Sequence, residues 1–137
     1  MAGGYNVSTQ DRKLFNDKVA LDRDMKYDGN EKTGHSWRSM TLNYIISKAP
    51  ECEEILRIVE AHEDVPATWM ALAATGIVPP ERLQRLAQDI WAHLNLCLTG
   101  AARRSFENAP RQEGFEAWRR VLKLVRMRGE VRRLELT

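Results

Sequence analysis

Apolar residues recur every three to four positions through most of the chain, which predicts helices rather than strands. The clearest run begins at Pro79-Pro80-Glu81. On a helical wheel Leu83, Leu86, Ala87, Ile90, Trp91, Leu94, Cys97, Leu98 and Ala101 fall within an arc of about 140°. This stripe predicts a long central helix over Glu81–Glu107. A second helix is expected over Ser36–Ser47, with Trp37, Met40, Tyr44 and Ile45 on one face. Lys48-Ala49-Pro50 stops it, because proline disfavours helical geometry in the residue before it. Pro50 then suits the first position of a third helix. Glu51, Glu53 and Glu54 favour that helix's positive end, and Ile55, Leu56 and Val59 form its inner face.

His62-Glu63-Asp64 reads as a solvated turn. Pro66 opens a short helix through Trp69, Met70 and Leu72 to about Thr75, and Gly76 stops it. Asn108-Ala109-Pro110 interrupts the pattern again. A closing helix is expected over Glu113–Arg128, striped by Phe115, Trp118, Leu122 and Val125, with Gly129 as its end or a hinge. At the front, Ser8, Thr9 and Asp11 are candidate caps for a short helix over Arg12–Leu21, marked by Leu14, Phe15 and Val19. The polar stretch Asp22–Gly34 reads as a linker, with a short extended piece at Met25–Tyr27.

No segment alternates cleanly with β-branched enrichment, so no strand is expected. The fold class is therefore all-α, a compact bundle of five or six helices. Three regions follow: a leader over 1–34 with a short helix and linker, a helical domain over 35–128, and a stub over 129–137. Val131, Leu134 and Leu136 in the stub suggest the start of a further packed segment.

Composition narrows the class without naming a function. The 137 residues are 43% hydrophobic and 29% charged, an ordinary globular balance. No apolar run reaches the length of a membrane span, and the opening residues lack a signal-peptide core. Cys52 and Cys97 are too few for a disulfide framework and sit on apolar helical faces, which suits a reduced, cytoplasmic protein. Charge is uneven: ten Lys/Arg and five Asp/Glu lie from Ala101 onward, against eleven and fourteen before it. That polarity suits head-to-tail contact between copies, an acidic partner, or a plain solvated surface.

The familiar catalytic templates are missing: no phosphate loop, no dinucleotide-binding glycines, no nucleophile elbow and no zinc-protease helix. His35, His62 and His93 are scattered, and His93 has Asp89 four residues upstream for a local hydrogen bond. No catalytic residue, metal ligand, cofactor or small-molecule substrate is expected. The tryptophans Trp37, Trp69, Trp91 and Trp118 share the phase of the apolar stripes, as core anchors rather than a ligand cage. Beside the last stripe, Arg119, Arg120, Lys123 and Arg126 form a basic face spanning about 120°. It suits nucleic-acid phosphates, a contact between subunits, or solvent.

Residues 94–128 carry a resemblance. Leu98, Gly100 and Ala102 spell Leu-x-Gly-x-Ala at the end of a helix. After a short break comes Gly114-Phe115-Glu116-Ala117-Trp118-Arg119. Upstream, Tyr27-Asp28-Gly29 precedes Trp37. This pattern resembles the capsid region of retrotransposon Gag polyproteins, in the form found in protist retroelements. The resemblance covers about 35 residues closely and Tyr27–Arg128 loosely, as motif-led resemblances do. It implies a structural domain that meets copies of itself many times over and builds a shell around RNA. Leu98, Gly100, Phe115, Trp118 and Leu122 would define its packing, with Phe115 and Trp118 folding back on Leu94 and Leu98. Assembly would use apolar residues off the stripes, Leu42, Ile46 and Leu96, with Arg103 and Arg104. No zinc knuckle follows the closing helix, so a strong RNA-binding module of that kind is either absent or lies beyond Thr137. The alternative is a helical nucleic-acid-binding or protein-interaction module.

Overall fold

The computed structural model describes residues 14–136. They form seven α-helices and one 3-10 turn, with no strand among them. In chain order these are α1 (Asp17–Leu21), the turn Arg23–Met25, α2 (Gly34–Lys48), α3 (Cys52–Ala61), α4 (Trp69–Ala73), α5 (Pro80–Cys97), α6 (Gly100–Glu107) and α7 (Gly114–Leu136). The all-α class is as expected, with the helices divided more finely. None of the described helices is long and apolar enough to cross a membrane.

Two helices organise the rest. α5 packs against α1, α4, α6 and α7, while α7 packs against α2, α3, α5 and α6. The α5 stripe is buried as its periodicity demands: Leu83, Leu86, Ala87, Ile90, Leu94 and Cys97 are all fully buried. On α7 the buried line is Phe115, Trp118, Val121 and Val125, with Leu122 half-buried. Between the hubs, Trp118 meets Trp37 of α2 at a ring separation of 5.6 Å. Trp37 and Trp118 are core anchors, whereas Trp69 and Trp91 are half-buried at the margin. Cys52 and Cys97 are free thiols, and burial pushes each up to about 12.

The expected helix Glu81–Glu107 is two helices. α5 stops at Cys97, Leu98 turns extended at φ −99° and ψ 137°, and Gly100 opens α6 in the left-handed region at φ +56°. A long-range pairing causes the break. Tyr27 N–H donates to Cys97 O and Thr99 N–H donates to Tyr27 O, both at 3.0 Å, making a parallel bridge between Tyr27 and Leu98. Asp28 O then accepts from Ala102 N–H, and a Cβ on Gly100 would lie 2.8 Å from that same oxygen. The small residues here admit the 27–29 segment.

The region read as a leader is packed into the core from residue 14 onward. Phe15, Ala20, Met25 and Tyr27 are buried. Tyr27 stacks on Trp37 at 4.8 Å, and Trp37 Nε1–H donates to Met25 O at 3.0 Å. Asn16 caps α1 by accepting from Lys18 N–H at 2.8 Å, so the helix starts later than Arg12. The candidate caps Ser8, Thr9 and Asp11 lie outside the described residues. α3 likewise begins at Cys52, two residues past Pro50.

α7 continues through Gly129 to Leu136, so that glycine does not end the helix. A Cβ there would approach His35 Nε2 of α2 to 3.0 Å, which makes Gly129 a close-packing position. Gly114, the first residue of α7, sits tighter still. An added Cβ would strike Ala87 O and lie 2.6 Å from Trp91 N and 2.8 Å from Ile90 Cβ. The closing helix therefore starts directly against the middle of α5, upstream of the expected contact at Leu94 and Leu98.

His93 is buried at 3% exposure, with its ring between Phe15 at 5.5 Å and Tyr44 at 5.3 Å. Among the described residues neither ring nitrogen has a hydrogen-bond partner, so the anticipated bond to Asp89 does not form. Burial lowers its pKa from 6.5 to about 4, against a weak opposing pull from Asp17. The folded state therefore resists the proton that the unfolded chain accepts. Stability is fully present above about pH 6.5 and declines as pH falls toward 4, by about 3 kcal/mol at most.

Two outcomes are expected from this packing. Gly114→Ala, a change that would stabilise an exposed helix by about 1 kcal/mol, should destabilise this one by about 2 kcal/mol or more through overpacking. Urea titration checks it, and unchanged stability would contradict the close approach. His93→Phe should flatten the loss of melting temperature between pH 6.5 and 4. A wild-type acid slope in that variant would show that His93 is not its source.

Candidate interaction surface on the closing helix

The basic face predicted on the last helix exists, but it is not bare. Its centre is Glu116, 2% exposed, which faces inward from the first turn of α7. Arg119 Nε–H donates to Glu116 Oε1 at 2.8 Å and its Nη2–H to Oε2 at 2.6 Å, a bidentate pair. Arg120 Nε–H adds 2.7 Å to Oε2, and Ala67 N–H adds 2.7 Å to Oε1. Burial on its own would raise the Glu116 pKa. The hydrogen bonds from Arg119, Ala67 and Arg120 outweigh it and hold the carboxyl at about 2.

The same face holds down the loop after α3. Arg119 Nη1–H donates to Glu63 O at 2.6 Å. Arg126 Nε–H donates to Glu63 Oε2 at 2.6 Å, and Lys123 Nζ–H to Asp64 Oδ1 at 2.7 Å. Arg126 also reaches Glu130 at 2.9 Å. One turn earlier, Glu113 Oε1 accepts from Trp69 N–H at 3.0 Å, and burial raises its pKa. The turn His62-Glu63-Asp64, expected to be solvated, thus supplies anions for the basic stripe. Arg119, Arg120, Lys123 and Arg126 each have a carboxylate in place, so a phosphate backbone would have to displace carboxylates as well as counterions.

Two grooves flank this helix. One, of about 350 Å³, lies between α2, α3 and α7. Val59, Leu122 and Val125 line it, and the Arg38–Glu60 and Arg126–Glu63 pairs stand at its rim. The other, of about 310 Å³, lies between α6 and α7 and is lined by Ser105, Asn108, Arg119, Arg120, Lys123, Leu124 and Met127. Its lining carries cations and no carboxylate, with an apolar end at Leu124 and Met127.

The residues expected at an assembly surface fall differently. Leu42, Ile46 and Leu96 are half-buried, and Leu42 and Leu96 pack against the core. The 14–26 segment lies over this side: Lys26 Nζ–H reaches Leu96 O at 2.8 Å and Asn16 N–H reaches Tyr44 Oη at 2.8 Å. Arg103 serves the fold. It donates to Asn95 O at 2.8 Å and pairs with Glu107 at 3.0 Å, satisfying a carbonyl at the end of α5. Arg104 is exposed. The large exposed apolar side chains are instead Leu21, Met40, Val65, Met70, Met127 and Leu134. Among the described residues no group of His, Cys, Asp and Glu is placed to hold a metal ion.

Sequence reasoning missed Glu116 as the hub. The signal was there, since Arg119 and Arg120 stand three and four residues after it, within reach on one helix. Nothing local announced the partners Glu63 and Asp64. Neither a family model, nor a curated protein, nor a solved structure matches this chain.

Glu116→Gln should cost about 3 kcal/mol near neutral pH, because it leaves the nearly buried Arg119 guanidinium without its charge partner. The depressed carboxyl contributes stability above about pH 4.5 that is lost as pH falls toward 2. The variant should lack that acid slope in a pH series of denaturant melts. A melt that matches the parent at pH 7 would remove Glu116 from the centre of the network.

Proposed function

We propose that this chain is a non-catalytic structural domain of the Gag capsid kind, which associates with itself to enclose nucleic acid. The observation that carries the proposal is the meeting of the motif residues. Tyr27, Asp28 and Gly29 lie 70 residues before the Leu98–Ala102 motif, yet they pack directly on it. Tyr27 bridges Leu98, Asp28 lies against Gly100, and a Cβ on Gly29 would touch Ala101 and Ala102 at 3.0 and 3.1 Å. Trp37 completes the first motif, and it meets Trp118 of the third. Three short sequences that resemble one family thus form one packing unit. That unit gives a physical reason for the three to occur together.

In this reading the motifs build the body and the outside of the bundle meets other copies. Individual contacts need only be weak, since repetition turns weak contacts into a stable assembly. RNA is held by enclosure and by scattered surface cations, with the paired basic stripe serving the fold first.

Light scattering and electron microscopy on the purified chain, across concentration, salt and added RNA, test the proposal. Discrete oligomers, tubes or shells that grow with concentration are expected. A strict monomer at about millimolar concentration, well above the weak-affinity range, with RNA present or absent, would rule the proposal out.

A further inference from the structure

Of the two grooves that flank α7, one is balanced in charge and the other is not. The groove between α2, α3 and α7 contains Glu60 and Glu63, which meet Arg38 and Arg126 within it. The groove of about 310 Å³ between α6 and α7 has Arg119, Arg120 and Lys123 in its lining and no carboxylate. Ser105 and Asn108 add a hydroxyl and an amide on the α6 side.

The three cations are not equally committed to the fold. Arg119 has all three guanidinium nitrogens bonded, two to Glu116 and one to Glu63 O, so it has nothing left to offer a ligand. Arg120 gives only Nε–H to Glu116. Its side chain is 38% exposed, and among the described residues its two Nη nitrogens have no hydrogen-bond partner. Lys123 is held by Asp64, whose side chain is 77% exposed. Such exposed pairs exchange partners at little cost, and an ammonium has three donors, so a second acceptor can join the first.

We propose that the α6–α7 groove binds a phosphodiester unit of single-stranded RNA, with the phosphate on Arg120 and Lys123. The proposal deepens the reading above by placing the enclosed strand on the chain, and it rests on that reading for the choice of RNA. Charge sets the phosphate position. The free outer edge of the Arg120 guanidinium matches two phosphate oxygens, and Lys123 adds a point charge beside it. Arg120 keeps its Nε–H bond to Glu116 throughout, so the clamp stays closed while the site fills. Size and form set the strandedness. The groove is at the small end of ligand sites, which suits one nucleotide. A duplex keeps its bases stacked inside, whereas a single strand can splay one into a recess. Leu124 and Met127 give the base an apolar wall, and Ser105 and Asn108 offer hydrogen bonds to ribose hydroxyls or base edges. One nucleotide per chain is a weak contact that repetition along a strand strengthens.

Fluorescence anisotropy of a labelled oligouridine of about eight nucleotides, titrated with the full chain at several salt concentrations, tests this. Asn108 is exposed and outside the Glu116 network, so Asn108→Asp should melt like the parent while weakening binding about tenfold. Lys123→Gln should weaken it about fivefold and lower the salt slope by about one. Arg57→Gln removes the same unit of charge from an exposed site on α3 and should stay within about twofold of the parent. Equal weakening by Arg57→Gln and Asn108→Asp would reduce binding to net charge and overturn the groove. Duplex RNA of the same length binding as tightly as the single strand would overturn the single-strand assignment. Inorganic pyrophosphate binding without oligouridine binding would make the groove a small-anion site and overturn the RNA assignment. Light scattering on the same samples separates this from the self-association reading. Assembly without oligouridine binding overturns the groove alone, and groove-dependent binding by a strict monomer upholds the groove while removing the shell.

Discussion

Two backbone hydrogen bonds organise this fold: Tyr27 N–H to Cys97 O, and Thr99 N–H to Tyr27 O. They tie an extended front segment to the point where the apolar stripe of α5 would otherwise run on. Leu98 is made extended, Gly100 takes a conformation open to glycine, and α6 leaves in a new direction. The same segment brings Tyr27 onto Trp37 and Met25 O onto the Trp37 indole. α2 is thereby anchored to the end of α5, and α7 closes over both through Trp118. Without that pairing, α5 and α6 could merge into the single helix their pattern suggests.

The second constraint is electrostatic. A carboxylate at 2% exposure would be costly alone, but Glu116 accepts from two guanidiniums and a backbone amide. Arg119, bound to it, then fixes Glu63, and Arg126 and Lys123 fix the rest of the loop. This couples α7 to the loop between α3 and α4 by charge, while Gly114 couples it to α5 by contact. A stripe that looks like a nucleic-acid surface on a wheel is thus a set of internal clamps with outward-facing remnants. On its far side α7 leaves Met127 and Leu134 exposed.

These two devices hold the body of the molecule together. Of the motif residues, Tyr27, Trp37, Leu98, Ala102, Phe115 and Trp118 are buried, while Asp28 and Gly100 are exposed. The large apolar side chains left exposed belong to other positions, Met127 and Leu134 among them.

Local periodicity was enough to establish the helical class, the buried stripe of α5, the Trp37 and Trp118 anchors, the burial of both cysteines, and the stops at Pro50 and Gly76. Each depends on neighbours within about two turns, so a wheel reveals it. Tertiary structure alone decided where the α5 stripe breaks, that residues from 14 onward join the core, that α7 passes through Gly129, and which carboxylates hold the basic face. Those outcomes rest on pairs far apart in the chain: Tyr27 with Leu98, Gly129 with His35, Glu63 with Arg126. A glycine reads as a helix end and a lone arginine as a surface charge until the element that packs against it is known. Periodicity reports the direction a side chain faces, and only the folded chain supplies what stands there.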